Sequence, residues 1–305
     1  MTAKKDGFNF IHNNTDVWTH LVNFAPDVVI TTGFNPTHLY AYCYAKLHKK
    51  KHIPMTDGWI ESEKSLSLVH KLLRTIIFKT SHAFIGASKN SIALYSSYGI
   101  NKKNIFQSHL CADNSRFDNN NGFNDREYDL MYSGQFTERK LPFFFTEIAE
   151  KVARKKSKMK VLILGDGPLR EAFFEKLNKA NIDFHYAGFV SQAQLPSFYS
   201  NSKIFLFTTR LDPWGVVVNE AMASGTPVFT TPFAGVINDL VIDKDNGYIL
   251  PIDSSVWCDY AINLLNDQTR WEKLSDSAKK SVQEFSFENA AHGIEDACCF
   301  ASNLG

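Results

Sequence analysis

Two carboxylates stand eight positions apart in RLDPWGVVVNEAMASGTPV, residues 210–228. Asp212 precedes a Pro-Trp-Gly turn, and Glu220 lies inside an apolar run. A carboxylate in an apolar helix costs free energy unless something hydrogen-bonds it, and the hydroxyls of a sugar or a ribose are such donors. A helix that starts near Gly215 leaves its first N–H groups free and turns its positive dipole end outward, which suits an anion. Asp212 then falls at the C-terminal edge of the strand KIFLFTT, where open α/β sheets bind ligands. The same spacing also fits an N-terminal acid plus a buried helix Glu paired with a Lys.

Other groups with chemical potential are scattered along the chain. LILGDGP, residues 162–168, runs from a strand into Gly165 and Gly167 and then a helix. Backbone amides at such a turn can approach a phosphate, although a tight turn without a ligand has the same pattern. YSGQFTERK places Gly134, Gln135, Arg139 and Lys140 after another strand. Asp57 precedes Gly58 in PMTDGWIESEKS, where it is either a sugar contact or an ordinary Asp-Gly turn residue. Glu61 and Glu63 read as the solvated start of a helix. His109 reads as a packed side chain near a domain junction. DKD, residues 243–245, has the form of a metal-binding acid pair, but the following Asn-Gly makes it a turn. No His or Cys cluster has ligand spacing, so no metal is expected.

Composition sets the frame. A chain of 305 residues suggests two domains, and 44% apolar residues is ample for buried cores. A net charge of +1 gives no field that would draw nucleic acid. The first 103 residues nevertheless hold 13 Lys or Arg against 6 Asp or Glu, densest in KLHKKKH, residues 46–52. That cluster is either a solvated helix end or a face drawn to anionic lipid or a phosphorylated acceptor. Five cysteines without pairing pattern imply a reducing, cytoplasmic compartment. MTAKKDGFNF lacks the apolar core of a leader, and no run approaches the ~20 apolar residues of a membrane span.

The elements that must position these groups alternate strand and helix, which predicts α/β architecture. Strands are expected at 27–33, 52–58 and 82–88, with helices between them and at 89–99. Residues 113–129, DNSRFDNNNGFNDREYD, are polar and turn-prone and read as a linker. A second series follows, with strands near 128–134, 159–167, 183–190, 203–209, 227–232 and 246–252, a short helix at VINDLV (236–241), and two C-terminal helices. The expected division is an N-terminal domain 1–125, a second domain 126–287, and a terminal helix 288–305 packing back toward the first. The two βα domains are expected to face a cleft.

With its flanking residues, the Asp212-x7-Glu220 pattern resembles the E-x7-E signature of family 4 glycosyltransferases of the GT-B fold. PWGVVVNEAMASGTPV is similar to that family's fG-lv--EAMA-G-PV. Further segments match in order: Asp113 with Phe117, YSGQFTERK, LILGDGPLR, FHYAGFV, DNGYIL and EFSFENAA. The likeness covers residues 113–292 well and 27–99 loosely. It implies two Rossmann-like domains and a retaining, metal-independent transfer of a sugar from a nucleotide diphosphate, with no further cofactor and a UDP-sugar favoured. Lys140 would sit on the diphosphate, while Asp212 and the backbone of Trp214, Gly215 and Val216 face the donor sugar. Glu220 would bind the ribose, and Gly188, Phe189 and Val190 would flank the base. Gly134, Gly165 and Gly167 would line the donor, and Asp57 would touch its sugar.

The acceptor implied is a saccharide or lipid-linked saccharide in surface polysaccharide synthesis, at the inner face of a bacterial membrane. The chain departs from the family at Asp212, one methylene shorter than Glu, and at Gln135, where the family has Arg; Arg139 is placed to restore that charge. The N-terminal domain also reads as incomplete, since 27–33 resembles a strand that others normally precede. An uncovered sheet edge would call for a partner chain, a membrane surface or a rearranged N-terminus. The competing expectations are a nucleotide-sugar-binding scaffold of weak activity, or one half of a two-chain transferase.

Overall fold

The computed structural model describes residues 13–63, 66–118 and 121–304. The segment 1–10, MTAKKDGFNF, and residues 119–120 of the expected linker lie outside the described residues. Contacts divide the chain into two units, Met1–Leu110 with Glu288–Gly305, and Cys111–Phe287.

The first unit runs α1 (Val17–Phe24), β1 (Val28–Thr31), α2 (Pro36–Leu47), β2 (Lys51–Thr56), α3 (Ile60–Glu63), α4 (Leu68–Thr80), β3 (Phe84–Gly86), α5 (Lys89–Ser97) and β4 (Ile105–Gln107). The second runs α6 (Asn114–Phe117), β5 (Tyr128–Ser133), α7 (Pro142–Lys155), β6 (Lys160–Leu164), α8 (Arg170–Lys179), β7 (Asp183–Gly188), α9 (Leu195–Ser200), β8 (Ser202–Phe207), α10 (Val216–Ala223), β9 (Val228–Thr230), β10 (Gly247–Ile249), α11 (Ser254–Leu265) and α12 (Gln268–Val282). The last helix, α13 (Phe287–Asn303), returns to the first unit.

In the first unit four parallel strands lie in the order β1-β2-β3-β4. Helices α2, α4 and α5 start on side-chain caps that satisfy free N–H groups. Asn35 Oδ1 accepts from His38 N–H (3.3 Å) at α2, and Ser88 Oγ from Ser91 N–H (3.0 Å) at α5. Ile53 and Ile85 pack against Ala297 and Ala301 of α13, while Ile77 and Phe78 of α4 pack with Phe84 and Tyr95. Helix α1 was not legible in the sequence. Its Trp18 meets Tyr44 edge-on at 5.8 Å, and with Leu21 it covers Val29 of the edge strand β1.

The second unit is a six-stranded parallel sheet in the order β10-β9-β8-β5-β6-β7. Apart from the partly exposed edge strand β7, its strands are largely buried on both faces, as parallel strands between helices must be. Ile204 and Leu206 enter the main cluster with Leu130, Tyr132, Val161 and Ile163, while Phe205 packs on Tyr199 at 6.0 Å. From β5 the chain winds one way through β6 and β7, then crosses to β8 and winds the other way. The order therefore reverses between β5 and β8, the point at which open α/β sheets leave a crevice at their C-terminal edge.

Three sequence expectations need correction here. The boundary lies at 110/111 rather than 125/126, because residues 111–118 and 121–126 pack in the second unit. Phe117 meets Tyr199 at 5.9 Å, and Arg126, 2% exposed, donates to the carbonyls of Ser202 (2.8 Å) and Ser224 (2.7 Å) and to Thr226 Oγ1 (2.7 Å). VINDLV forms turns rather than a helix: Asn238 has φ +60 and its N–H bonds Val241 O at 2.9 Å. The C-terminal region holds α11, α12 and α13 rather than two helices, since Asp267 caps a new start by accepting from Arg270 N–H at 2.9 Å.

Burial lowers the Arg126 guanidinium to about 10, and its ring-face neighbour is Trp271 at 4.7 Å. Arg126→Met removes the donors of several buried carbonyls at once. The second unit is expected to lose about 3 kcal/mol of stability, read as a lower denaturation midpoint; an unchanged midpoint would mean that the carbonyls find water.

Candidate functional site

The reversal between β5 and β8 brings two loops together. The loop after β5 carries Gly134 to Lys140, and the loop after β8 carries Thr208 to Gly215. They are laced by their backbones. Arg210 N–H donates to Arg139 O (2.8 Å), Thr209 Oγ1 to Arg139 O (3.1 Å), and Thr208 Oγ1 to Lys140 O (3.0 Å). Leu141 sits in the left-handed region at φ +50, which turns the chain sharply into α7.

Lys140 and Asp212 meet in this lacing. The Lys140 ammonium donates to Asp212 Oδ2, and Arg139 reaches the same oxygen at 3.3 Å while also donating to Leu211 O at 2.8 Å. Lys140 is 9% exposed and Asp212 7%, so this is a buried pair with a half-exposed guanidinium beside it. Burial pushes the Lys140 ammonium below its ordinary value; Asp212 opposes that shift and Arg139 adds to it. The ammonium also lies 4.7 Å from the Phe207 ring centre. Two cations on one carboxylate leave a local positive surplus. Gln135 is exposed and uncharged, with its carbonyl taken by Tyr132 Oη at 3.0 Å.

The other arm of Asp212 shapes the start of α10. Its Oδ1 accepts from Trp214 N–H at 3.2 Å, which removes that amide from the three expected to face a ligand. No backbone carbonyl of the described residues takes the N–H of Gly215 or Val216. Gly215 has φ +100, and a Cβ there would stand 2.5 Å from Phe207 Cζ, so only glycine lets the chain turn this close to the end of β8. The Trp214 side chain points inward. It is 1% exposed, donates Nε1–H to Asn219 Oδ1 (2.9 Å) and packs on Phe285 at 5.7 Å. Its indole is core, so only its position in the turn concerns the site.

Glu220 is buried in the second turn of α10 at 7% exposure. Its hydrogen-bond partner is the Tyr199 phenol, not a lysine. Burial raises the Glu220 carboxyl above its ordinary value, and the Tyr199 hydrogen bond works against that. Tyr199 Oη is also 3.0 Å from Ser133 Oγ, which ties the second carboxylate to the end of β5, one residue before Gly134. Neither Tyr199 nor Ser133 was singled out from the sequence; an apolar-looking FYS segment carries no visible sign of it.

The remaining glycines line the same strand ends. Gly134 N–H donates to Leu164 O (3.2 Å), Gly165 N–H to Gly188 O (2.8 Å), and Phe136 N–H to Asp166 O (3.0 Å) beside Gly167. Phe189, after β7, is 94% exposed, and Val190 is half-buried. Gly235 is a further residue the sequence reading missed. Its N–H donates to Asp212 O at 2.7 Å, and a Cβ on it would overlap the Pro213 carbonyl.

Asp57 belongs to the first unit, exposed after β2, where Thr56 Oγ1 accepts from Gly58 N–H at 3.0 Å. Glu61 is exposed, but Glu63 is not the solvated acid expected: it is 8% exposed, pairs with Arg74 and accepts from Tyr98 Oη at 2.9 Å. His109 is half-buried with Nδ1 3.5 Å from Gln107 Nε2. Asp243 Oδ1 accepts from Ile249 N–H at 3.0 Å and Lys244 has φ +66, so DKD forms a turn. Within the KLHKKKH cluster, Lys46 donates to Thr80 O, Lys50 pairs with Asp27 at 2.9 Å, and Lys51 donates to Leu304 O. The first unit also has a cavity of about 510 Å³ beside Phe34, His70 and Arg74.

Residues 113–281 match the sequence model of the glycosyl transferases group 1 family. An uncharacterized glycosyltransferase of Methanocaldococcus jannaschii is 25% identical over 175 residues, covering 56% of this chain and 44% of the relative. A 2-deoxystreptamine N-acetyl-D-glucosaminyltransferase of Niallia circulans is 26% identical over 152 residues, covering 48% of this chain and 38% of the relative. The chain thus spans less than half the length of these curated relatives. Among solved structures, Anabaena HepE in complex with UDP superposes with a TM-score of 0.78 at 14% identity, covering 92% of this chain and 81% of that one. A glycosyltransferase from Rickettsia africae superposes at 0.76 with 15% identity, covering 99% of this chain and 84% of that one. These likenesses establish the α/β fold of GT-B glycosyltransferase structures.

Proposed function

The chain belongs to the glycosyl transferases group 1 family, and from that premise we propose that it takes a sugar from a nucleotide diphosphate and transfers it, with retention, to a saccharide or lipid-linked saccharide. The observation that carries this reading is the meeting of Lys140, Arg139 and Asp212 at the strand-order reversal, beside the open amides of Gly215 and Val216. A pyrophosphate leaving group needs positive charge that is already in place when the bond breaks. The buried ammonium, the guanidinium and the start of α10 supply it without a metal ion. Asp212 holds the two cations in register and keeps one oxygen near the sugar. Glu220, kept in place by Tyr199, accepts from ribose hydroxyls, and the exposed ring of Phe189 flanks the base.

In this reading the acceptor hydroxyl attacks from the face the diphosphate leaves, and a leaving phosphate oxygen takes its proton. No protein nucleophile is required; the protein contributes position and charge. The crystal complexes of Anabaena HepE with UDP and with UDP-glucose favour a uridine donor. The acceptor is assigned to the first unit, which holds a cavity in the range of small-molecule pockets, and Asp57 of that unit is the candidate for touching the donor sugar. Surface polysaccharide synthesis at the inner membrane face is the role this acceptor fits.

A thermal-shift screen over UDP, GDP, ADP and their sugars tests the donor. A nucleotide at 100-fold over its Kd adds about 2.7 kcal/mol of stability. Transfer or slow hydrolysis of that sugar, undiminished by EDTA, then separates an enzyme from a scaffold that only binds. Glu220 gives the screen an internal check. Its carboxyl protonates at a pH above the ordinary glutamate range, and only the ionised form accepts from both ribose hydroxyls. Nucleotide affinity is therefore expected to fall as pH drops through that raised value. Glu220→Gln should bind about tenfold more weakly at neutral pH and lose the pH dependence. A variant with unchanged affinity and profile would remove Glu220 from the donor site.

A further inference from the structure

Four large apolar side chains of α4 face solvent: Leu68 is 84% exposed, Val69 67%, Leu72 61% and Ile76 48%. At 100° per residue, these positions fall in one stripe about 100° wide. The opposite side of the helix does the packing. Ile77 and Phe78 are buried with Phe84 and Tyr95, and Arg74 pairs with Glu63 while lying 4.7 Å from the Phe34 ring centre. The stripe is therefore not needed by the core. A single exposed leucine needs no explanation, but a row of them along one helix face marks an interaction surface.

The charges around the stripe indicate what it meets. Helix α4 carries Lys71, Arg74 and Lys79 and no acid. Lys79 projects along the stripe and Lys71 along its flank. At the C-terminal end of α4, Thr80 O accepts from Lys46 of α2, and Tyr42 Oη is 2.8 Å from Thr80 Oγ1. The residue after Lys46 is Leu47, 72% exposed, and His48, Lys49, Lys50 and Lys51 follow. The acids nearby are Glu61, exposed on α3, Glu63, paired with Arg74, and Asp27, paired with Lys50. No helix of the described residues is long and apolar enough to cross a membrane, so a lipid contact here is one of surface.

We propose that the outer face of α4, extended by Leu47 at the end of α2, docks on a bilayer rich in anionic lipid. The apolar side chains enter the acyl boundary, and the lysines bend up to the phosphates. A second copy of this chain fits less well, because a two-fold contact centred on the stripe sets Lys71 of each copy against Lys79 of the other. The proposal goes beyond the donor reading, and nucleotide binding is measured separately so that either can fail alone.

The test is co-sedimentation of the full chain with vesicles of equimolar phosphatidylglycerol and phosphatidylcholine, and with phosphatidylcholine alone. The chain is expected to pellet with the anionic vesicles at low salt and to stay in solution with the neutral ones. Leu68→Ser/Leu72→Ser/Ile76→Ser should lower partitioning roughly tenfold or more. Lys71→Gln/Lys79→Gln should lower it roughly fivefold per lysine, an effect that added salt erases. The changed positions are exposed apart from half-buried Lys71, and none belongs to the packed side of α4, so the variants' melting temperature and nucleotide affinity should match the parent. The proposal is overturned by a parent chain that stays in solution, or by a serine variant that pellets like the parent. It is equally overturned by a dimer in sedimentation equilibrium that the serine variant splits into monomers, which would hand the stripe to a second copy.

Discussion

Lys140→Ala is expected to lower sugar transfer about 10²- to 10³-fold, the loss usual when one preorganised charge is removed from a developing anion. The ammonium is 9% exposed and held by Asp212, so the donor pays little to organise it. Two effects must be separated in the measurement. Removing the lysine also leaves Asp212, 7% exposed, with Arg139 as its remaining cation, and breaking a buried pair costs about 3–5 kcal/mol of stability. Rates should therefore be taken well below the variant's own midpoint and normalised to folded protein. Lys140→Arg keeps the charge but not the compact ammonium and should recover only part of the rate. A Lys140→Ala enzyme with parental turnover would dismiss the pyrophosphate assignment, and with it the role of the β5 and β8 loops.

The second large effect is expected at Gly235→Ala. A Cβ there overlaps the Pro213 carbonyl, which is backbone and can yield only by shifting the turn that the 2.7 Å bond from Gly235 N–H to Asp212 O holds in place. Overpacking against backbone costs about 3 kcal/mol, and for a unit of this size that lowers the midpoint by roughly 6–12 °C. The strain is relieved by moving Pro213 and Trp214, which shifts Asp212 off Lys140, so nucleotide affinity should fall too. Gly33→Ala is the control: its nearest atom would be His38 Cδ2 at 3.7 Å, ordinary contact. If both alanines melt alike, the loop after β8 is looser than its hydrogen bonds imply.

Much was legible in the residue order. Alternating apolar runs and capped helical patterns are local physics, and they placed most strands and helices within a few positions. The glycines and acids of residues 132–140, 162–170 and 210–228 carried the family likeness because close backbone approach and charge tolerate few residue types. What the order lacked was long-range. Nothing local says that Phe117 and Arg126 pack into the second unit, that Glu63 is buried under Arg74, or that the Trp214 indole turns inward.

The site itself shows the division most clearly. Sequence alone determined that Lys140 follows one strand, that Asp212 follows another, and that a helix start with spare amides comes next, since each depends on neighbours in the chain. Only the tertiary structure decided that β5 and β8 are adjacent, with the winding reversed between them. That adjacency sets the lysine on the carboxylate 72 positions away. Strand order is fixed by which apolar faces bury together across the whole sheet, a property no window of residues contains. The same holds for α4: its stripe is written in the sequence, but that it faces outward is known only once Ile77 and Phe78 have taken the core.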